Sequence, residues 1–175
     1  NEKYDGLTMA AWIRVDGLDR KYIALLLSDG YEEGKHHWQI DQSGRLMFSV
    51  SDMGSSSAEG RPLNPYRQDR IYYSPPIVHS AGRHWHHVAV TFDATTGEAV
   101  QYFDGNEVSR EISDQQRSGR KVTFGPCEIG NWGLPVEGVP FPTRNLNGRV
   151  DEFLIYKEPL SVDEIKNLYE VGIPN

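Results

Sequence analysis

The acidic cluster that comes nearest to a pair of catalytic carboxylates is Asp151 and Glu152, which are adjacent. Cleavage of a glycosidic bond by two carboxylates requires both groups at a defined separation around one bond. Neighbouring residues of a strand point to opposite faces, so these two carboxylates cannot act together. The sequence also lacks a Gly-x-Ser-x-Gly motif, and Cys127 follows Pro126 outside any recognisable nucleophile motif. We therefore predict that the chain is not an enzyme.

Asp151 has a second possible role, as a metal ligand. It alternates with Phe153 and Ile155 along a predicted strand, so it is partly buried if those two residues face the core. An unpaired buried carboxylate costs several kcal/mol. Ca²⁺ would suit it, because this ion accepts carboxylate and carbonyl oxygens. An ion pair with Arg, or hydrogen bonds from backbone N–H groups, are the alternatives.

Two irregular loops combine aromatic rings with planar polar groups, at residues 131–145 and 62–73. A sugar ring presents an apolar face for stacking and hydroxyl groups for hydrogen bonds, so these side chains suit a glycan. The alternative is that the rings only fill an end of the fold. The predicted ligand contacts are Trp132, Tyr66, Arg144, Tyr72 and Asn64.

Short alternating segments separated by Gly, Asp, Asn and Pro predict antiparallel strands along most of the chain. In the first segment, Leu7 to Val15, every second residue is apolar and shares one face. Only the C-terminus is helical: Ser161 and Glu164 form a capping-box pattern, and Gly172 ends the helix. The sequence therefore predicts an all-β, two-sheet antiparallel sandwich with one short C-terminal helix.

Composition limits the possible partners. The chain has 175 residues and a formal net charge of −7, and no stripe of Lys and Arg, which disfavours nucleic acid. No run of roughly 18 apolar residues predicts a membrane span, so we expect no membrane insertion. One core suffices for this length, which predicts a single domain over residues 1–175. Because the sequence starts without Met, close to a predicted strand, we interpret it as a module of a larger protein.

Five phrases of the sequence resemble the successive motifs of laminin-G-like, concanavalin A-like lectin/glucanase domains. They are LTMAAWIRV, WHHVAVTFD, TGEAVQYFDGNEV, IGN and LNGRVDEFLIYKEPLSVDEIKNLYEVG. The resemblance implies a jelly-roll sandwich whose concave face often holds glycans. It also implies a structural calcium ion beside the strand of Asp151, shared with carbonyl groups near the N-terminus and an early loop. On this basis Asp5 and Asp29 are the predicted partners of Asp151.

The expected function is a non-catalytic, lectin-like module of a secreted or cell-surface protein, and the expected localisation is extracytoplasmic. Its partner would be an extracellular glycan or polysaccharide. A first alternative is a protein-interaction or adhesion spacer that binds a neighbouring protein domain. A second alternative is a polysaccharide hydrolase or lyase with dispersed catalytic residues. The Glu-x-Asp-x-x-Glu string of jelly-roll glucanases is absent from the sequence.

Overall fold

A computed structural model describes residues 2–51, 70–81, 83–112, 121–132 and 143–173. The secondary structure consists of short strands and one helix. The elements are β1 (Glu2–Tyr4), β2 (Gly6–Val15), β3 (Tyr22–Ser28), β4 (His36–Asp41), β5 (Arg45–Val50), β6 (Arg70–Pro76), β7 (His86–Asp93), β8 (Glu98–Phe103), β9 (Asn106–Ile112), β10 (Val122–Phe124), β11 (Cys127–Ile129), β12 (Gly148–Tyr156) and α1 (Val162–Val171).

The strands form two five-stranded sheets and one small pair. The β3 sheet has the order β11-β3-β4-β5-β6, and the β2 sheet has the order β12-β2-β7-β8-β9. Strands β1 and β10 form the small pair, and all strand pairings in both large sheets are antiparallel. The predicted all-β jelly-roll sandwich with one C-terminal helix is confirmed.

The core lies between the two large sheets. As the alternation predicted, the inward residues of β2 are Leu7, Met9, Ala11, Ile13 and Val15, all at most 3% exposed. They pack in one cluster with apolar residues of the β3 sheet, including Trp38 and Phe48. Burial of each large apolar side chain contributes about 1.5–3 kcal/mol, so this interface is the main source of stability.

The helix covers the outer face of the β2 sheet. Ser161 accepts a hydrogen bond from the backbone N–H of Glu164, whose carboxylate accepts from the Ser161 backbone, which confirms the predicted capping box. Ile165 is fully buried and packs with Ala10 and Tyr102 of the sheet. Among the residues that the structure describes, no helix has both the length and the apolar character that a membrane span requires.

Strand β12 contains a β-bulge between Asp151 and Leu154. Asp151 is paired with Trp12 and Leu154 with Ala10, whereas Glu152 has a left-handed backbone with φ of +47°. The extra residue of a bulge changes which side chains share a face. Asp151 and Phe153 are therefore not on the same face, and Asp151 is exposed while Phe153 packs against the core.

Candidate functional site

Trp132 lies on the outer face of the β3 sheet, against Ala24 and Leu27. The guanidinium carbon of Arg144 lies 4.4 Å from the centre of its ring, and the Tyr31 ring meets it edge-on at 6.0 Å. The residue is 8% exposed. Trp132 was predicted to stack on a sugar, but in the structure its ring is buried and packs against Arg144 and Tyr31.

The backbone of Arg144 is hydrogen-bonded to strand β3. Its carbonyl oxygen accepts a hydrogen bond from the backbone N–H of Ala24 at 2.7 Å. The guanidinium lies 5.1 Å from the ring centre of Tyr22 and donates to the side-chain oxygen of Gln39 at 3.2 Å. Among the residues that the structure describes, no carboxylate is within ion-pair distance of this 8%-exposed cation. Ring faces and the Gln39 amide stabilise its charge instead.

A second arginine lies over a tyrosine on the same face. The guanidinium of Arg45 is 4.4 Å from the ring centre of Tyr73 and 2.7 Å from a carboxylate oxygen of Asp41. Burial alone would raise the pKa of Asp41, but hydrogen bonds from Ser43 and Arg45 hold it below its usual value. Asp41 is therefore ionised at neutral pH and fixes the orientation of Arg45.

Tyr73 and Tyr22 are neighbours on this face. Burial raises the pKa of the Tyr73 hydroxyl, and the proximity of Tyr22 adds to the shift. Tyr73 therefore stays a neutral hydroxyl group, able to donate and to accept a hydrogen bond. We call Tyr22, Arg45, Tyr73 and Arg144 the tyrosine–arginine surface. Its half-buried rings and the partly exposed guanidinium of Arg45 have the chemistry that sugar rings and their hydroxyl groups require, and Arg144 is the buried member of the set.

Of the other predicted ligand contacts, Tyr72 lies in the core. It is 3% exposed, its hydroxyl donates to the carbonyl oxygen of Gly97 at 2.8 Å, and its ring stacks against Phe48. The prediction that Tyr72 contacts a ligand is wrong, because successive strand residues face opposite sides and Tyr73 takes the outer position. Asn64 and Tyr66 lie outside the described residues.

The three predicted calcium ligands do not fit one site. Asp151 is exposed on the outer face of the β2 sheet, and Asp5 precedes β2 and pairs with Lys121 at 2.9 Å. Asp5 lies seven positions before Trp12, the strand partner of Asp151, which is about 23 Å along an extended strand. Asp29 follows β3 in the other sheet. Within the described ranges no three His, Cys, Asp or Glu side chains gather as a metal site.

The premise for placing calcium at Asp151 was its burial, and the bulge removes that premise. A strand without the bulge would have placed Asp151 with Phe153 on one face. Asp151 needs no cation because it is solvated and accepts a hydrogen bond from the Glu152 backbone at 2.9 Å. Among the three aspartates, Asp29 has a buried oxygen without a hydrogen-bond partner.

The sequence reasoning missed Tyr22 and Arg45. Both are the first residues of their strands, and their place on the outer face is clear only when the register of β3 and β5 is known. Their pairing with Arg144 and Tyr73 depends on neighbours far along the chain. The alternation of Tyr22 with the buried Ile23 does indicate that Tyr22 faces outward. The sequence does not indicate which of the two outer sheet faces the helix leaves uncovered.

The model of the concanavalin A-like lectin/glucanases superfamily matches residues 3–166. A comparison with curated protein sequences gave no significant match. The family match extends over both sheets and into the helix, and includes the tyrosine–arginine surface.

Several solved structures share the fold at low sequence identity. A proposed carbohydrate binding protein from Bacteroides ovatus has a TM-score of 0.64 and 17% identity, over 95% of this chain and 41% of that one. The heptameric SAP-like pentraxin from Limulus polyphemus has a TM-score of 0.61 and 13% identity, over 95% and 70%. The CBM40 of the Ruminococcus gnavus IT-sialidase, bound to α2,6 sialyllactose, has a TM-score of 0.62 and 13% identity, over 95% and 84%. The chain thus spans less than half of the first of these proteins.

Proposed function

Because the chain belongs to the concanavalin A-like lectin/glucanase superfamily, we propose that it is a carbohydrate-binding module without catalytic activity. The observation that carries the proposal is the tyrosine–arginine surface on the sheet face opposite the helix. It presents two half-buried tyrosines beside the Arg45 guanidinium, and the buried guanidinium of Arg144 lies 5.1 Å from the ring centre of Tyr22. Similar folds whose names refer to carbohydrate binding or to bound sialyllactose support the same class of ligand.

Charge near Tyr22 favours an acidic glycan. The ammonium of Lys21 and the guanidinium of Arg144 lie 5.4 and 5.1 Å from the centre of its ring. Of the carboxylates near this surface, Asp41 is already paired with Arg45, and Glu111 accepts a hydrogen bond from the Tyr73 backbone N–H at 2.7 Å. A sugar carboxylate placed here would meet cationic groups on a chain whose net charge is −7. We therefore expect a preference for sialylated or uronic-acid glycans over neutral ones.

The affinity of one module should be weak. Each stacking contact supplies about 0.5–1.5 kcal/mol beyond area burial, which places a single site in the micromolar to millimolar range. Binding of this strength suits a module that acts beside other modules on an extracellular polysaccharide or glycan. We accordingly propose that the domain works outside the cytoplasm, as part of a larger secreted or surface protein.

The test is a glycan array followed by calorimetric titration of α2,3 sialyllactose and of lactose. We expect binding without turnover, tighter for the sialylated sugar. Tyr22→Leu and Tyr73→Leu should each weaken binding about threefold to tenfold. Tyr156→Leu, the same change on the β2 sheet, is the matched control and should leave the affinity unchanged. An array without any bound glycan would refute the proposal and favour the protein-interaction alternative.

A further inference from the structure

Three arginines surround one carboxylate at the end of the β2 sheet where β2 ends and where β12 and β7 begin. Arg14 donates from Nε and Nη2 to the two carboxylate oxygens of Asp16, at 3.1 and 3.2 Å. Arg83 lies just before β7, with its Nε 3.9 Å from the same carboxylate. Arg149 is the cross-strand partner of Arg14. We call Arg14, Arg83 and Arg149 the arginine cluster. It shares no residue with the tyrosine–arginine surface.

The cluster carries more positive charge than its own carboxylate neutralises. The hydrogen bond from Arg14 is the main cause of the lowered pKa of Asp16, and the charges of Arg83 and Arg149 lower this pKa further. Asp16 is therefore ionised at neutral pH, and three guanidinium groups around one carboxylate leave an excess of two positive charges. Within the described ranges Arg149 has no ion pair, and the exposed Asp151 on the same strand does not form one with it.

The arrangement is electrostatically unfavourable by itself. Arg14 and Arg149 lie directly opposite each other on antiparallel strands, so their side chains share the outer face of the sheet. Like charges in this position destabilise a sheet. Arg83 also has a left-handed backbone, with φ of +49°, which residues with a side chain seldom adopt. An anion bound between the guanidinium groups offsets the repulsion that Asp16 leaves.

The cluster is accessible to a ligand. The side chain of Arg83 is 70% exposed and that of Arg14 is 21% exposed, and Arg149 is exposed as well. Helix α1 packs farther along the same face, where Gly172 approaches the indole nitrogen of Trp12. The three guanidinium groups can therefore meet an anion from solution.

The excess charge favours one kind of anion. Arginine binds phosphate and carboxylate oxygens through parallel N–H groups of its planar guanidinium. A phosphate monoester carries about −1.5 to −2 charges at pH 7, which matches the two excess positive charges of the cluster. A carboxylate or a sulfate ester carries a single negative charge and leaves part of the excess without a partner.

An indole ring is adjacent to the cluster in register. Ile13 pairs with His86, so the next positions on these two chain segments are Arg14 and Trp85. Trp85 is partly exposed and packs on none of the core clusters. In the part of the chain that the structure describes, it makes no ring contact and no hydrogen bond. A partly exposed indole supplies the apolar surface on which a sugar ring stacks.

We propose that the arginine cluster and Trp85 bind a phosphorylated sugar. The phosphate monoester accepts hydrogen bonds from Arg83, from Arg149 and from the Nη1 group of Arg14, which Asp16 leaves free. The sugar ring stacks on Trp85. Inorganic phosphate fits only the cluster, and a neutral sugar fits only the indole, whereas the phosphorylated sugar binds to both.

Nuclear magnetic resonance of the arginine Nε–H and indole N–H groups tests the proposal, with glucose 6-phosphate as the probe. Titrated into the whole chain at about pH 7.5 and low salt, it should shift the signals of Arg83, Arg149 and Trp85 in a saturable way. The dissociation constant should lie in the millimolar range. Glucose 6-sulfate, which carries one negative charge, should bind about threefold to tenfold more weakly. Glucose should leave the arginine signals unmoved.

Variants separate the two parts of the site. Arg149→Gln and Arg83→Gln should each weaken glucose 6-phosphate binding about threefold to tenfold. Lys166→Gln, which removes an exposed positive charge from the helix, is the matched control and should not weaken it. Arg149→Gln should also keep or raise the melting temperature, because it removes the like-charge pair, whereas loss of a merely structural arginine would lower it. Trp85→Leu should weaken the binding of glucose 6-phosphate but not that of inorganic phosphate.

The same titrations can overturn the proposal. Unmoved arginine signals, equal binding of the phosphate and sulfate esters, or full affinity in both arginine variants would do so. A phosphoserine peptide that binds more tightly than glucose 6-phosphate would show that the ligand is not a sugar. Arg83 and Arg149 are exposed, so their variants remain informative if Trp85→Leu does not fold. Tyr22→Leu should not affect these titrations, which separates them from the test of the proposed function.

Discussion

Lowering the pH from about 7 to about 5 should destabilise the fold through three buried histidines, His36, His37 and His87. Burial is the largest cause of the lowered pKa in each, to about 3 for His36 and about 4 for the other two. His36 is packed against Phe124 with ring centres 4.3 Å apart. His37 donates from Nε2 to the carbonyl oxygens of Ser28 and Gly30. All three rings are neutral in the folded chain at neutral pH.

The direction of the effect follows from proton binding. Each histidine has a pKa of about 6.5 in the unfolded chain, so below that pH the unfolded state binds more protons than the folded one. The stabilisation is complete above about pH 6.5 and is lost as the pH falls towards the folded pKa. At pH 5 each histidine has lost about 2 kcal/mol relative to pH 7, which gives about 6 kcal/mol for the three. This loss is comparable with the whole stability of many domains.

Urea unfolding followed by fluorescence at pH 7, 6 and 5 measures the effect. His36→Phe preserves an aromatic ring beside Phe124 and should remove about 2 kcal/mol of the difference between pH 7 and pH 5. His84→Gln, at an exposed position, is the control and should leave the pH dependence unchanged. A free energy of unfolding that stays constant from pH 7 to pH 5 would refute the assignment of neutral buried histidines.

Two further predictions concern residues whose roles the structure redefines. Trp132→Ala should lower the free energy of unfolding by about 3–5 kcal/mol, because it removes a buried ring from Ala24 and Leu27; urea unfolding would contradict this if the variant were as stable as the parent chain. A structural calcium ion stays a prediction, with Asp29 as its candidate ligand. Chelator should then lower the melting temperature, and Asp29→Asn should abolish this response. If neither chelator nor added Ca²⁺ changes the melting temperature, the chain has no structural calcium ion.

The fold was predictable because its signals are local. Alternating apolar residues in β2 define an inward face, and the capping box at Ser161 defines the start of the helix. Both patterns depend on residues within one element. The structure changes neither of them.

The site was less predictable because it depends on register and on exceptions to alternation. The bulge at Glu152 reverses the face of Asp151 relative to Phe153, and a left-handed glutamate has no signature in the sequence. Tyr72 and Tyr73 are adjacent, and pairing with β5 decides which of them faces outward. Trp132 and Arg144 were predicted as ligand contacts of one loop, and the burial of both depends on packing over β3 that loop composition does not encode.

A chemical-shift map of the labelled chain, titrated with the glycan that binds most tightly on an array, tests carbohydrate binding at the tyrosine–arginine surface most directly. Glycan binding at the tyrosine–arginine surface predicts shifts centred on Tyr22, Arg45 and Tyr73 of the β3 sheet, with little change around the helix. If no glycan binds at millimolar concentration, or if the shifts avoid these three residues, the assignment of a carbohydrate-binding site to this face is wrong.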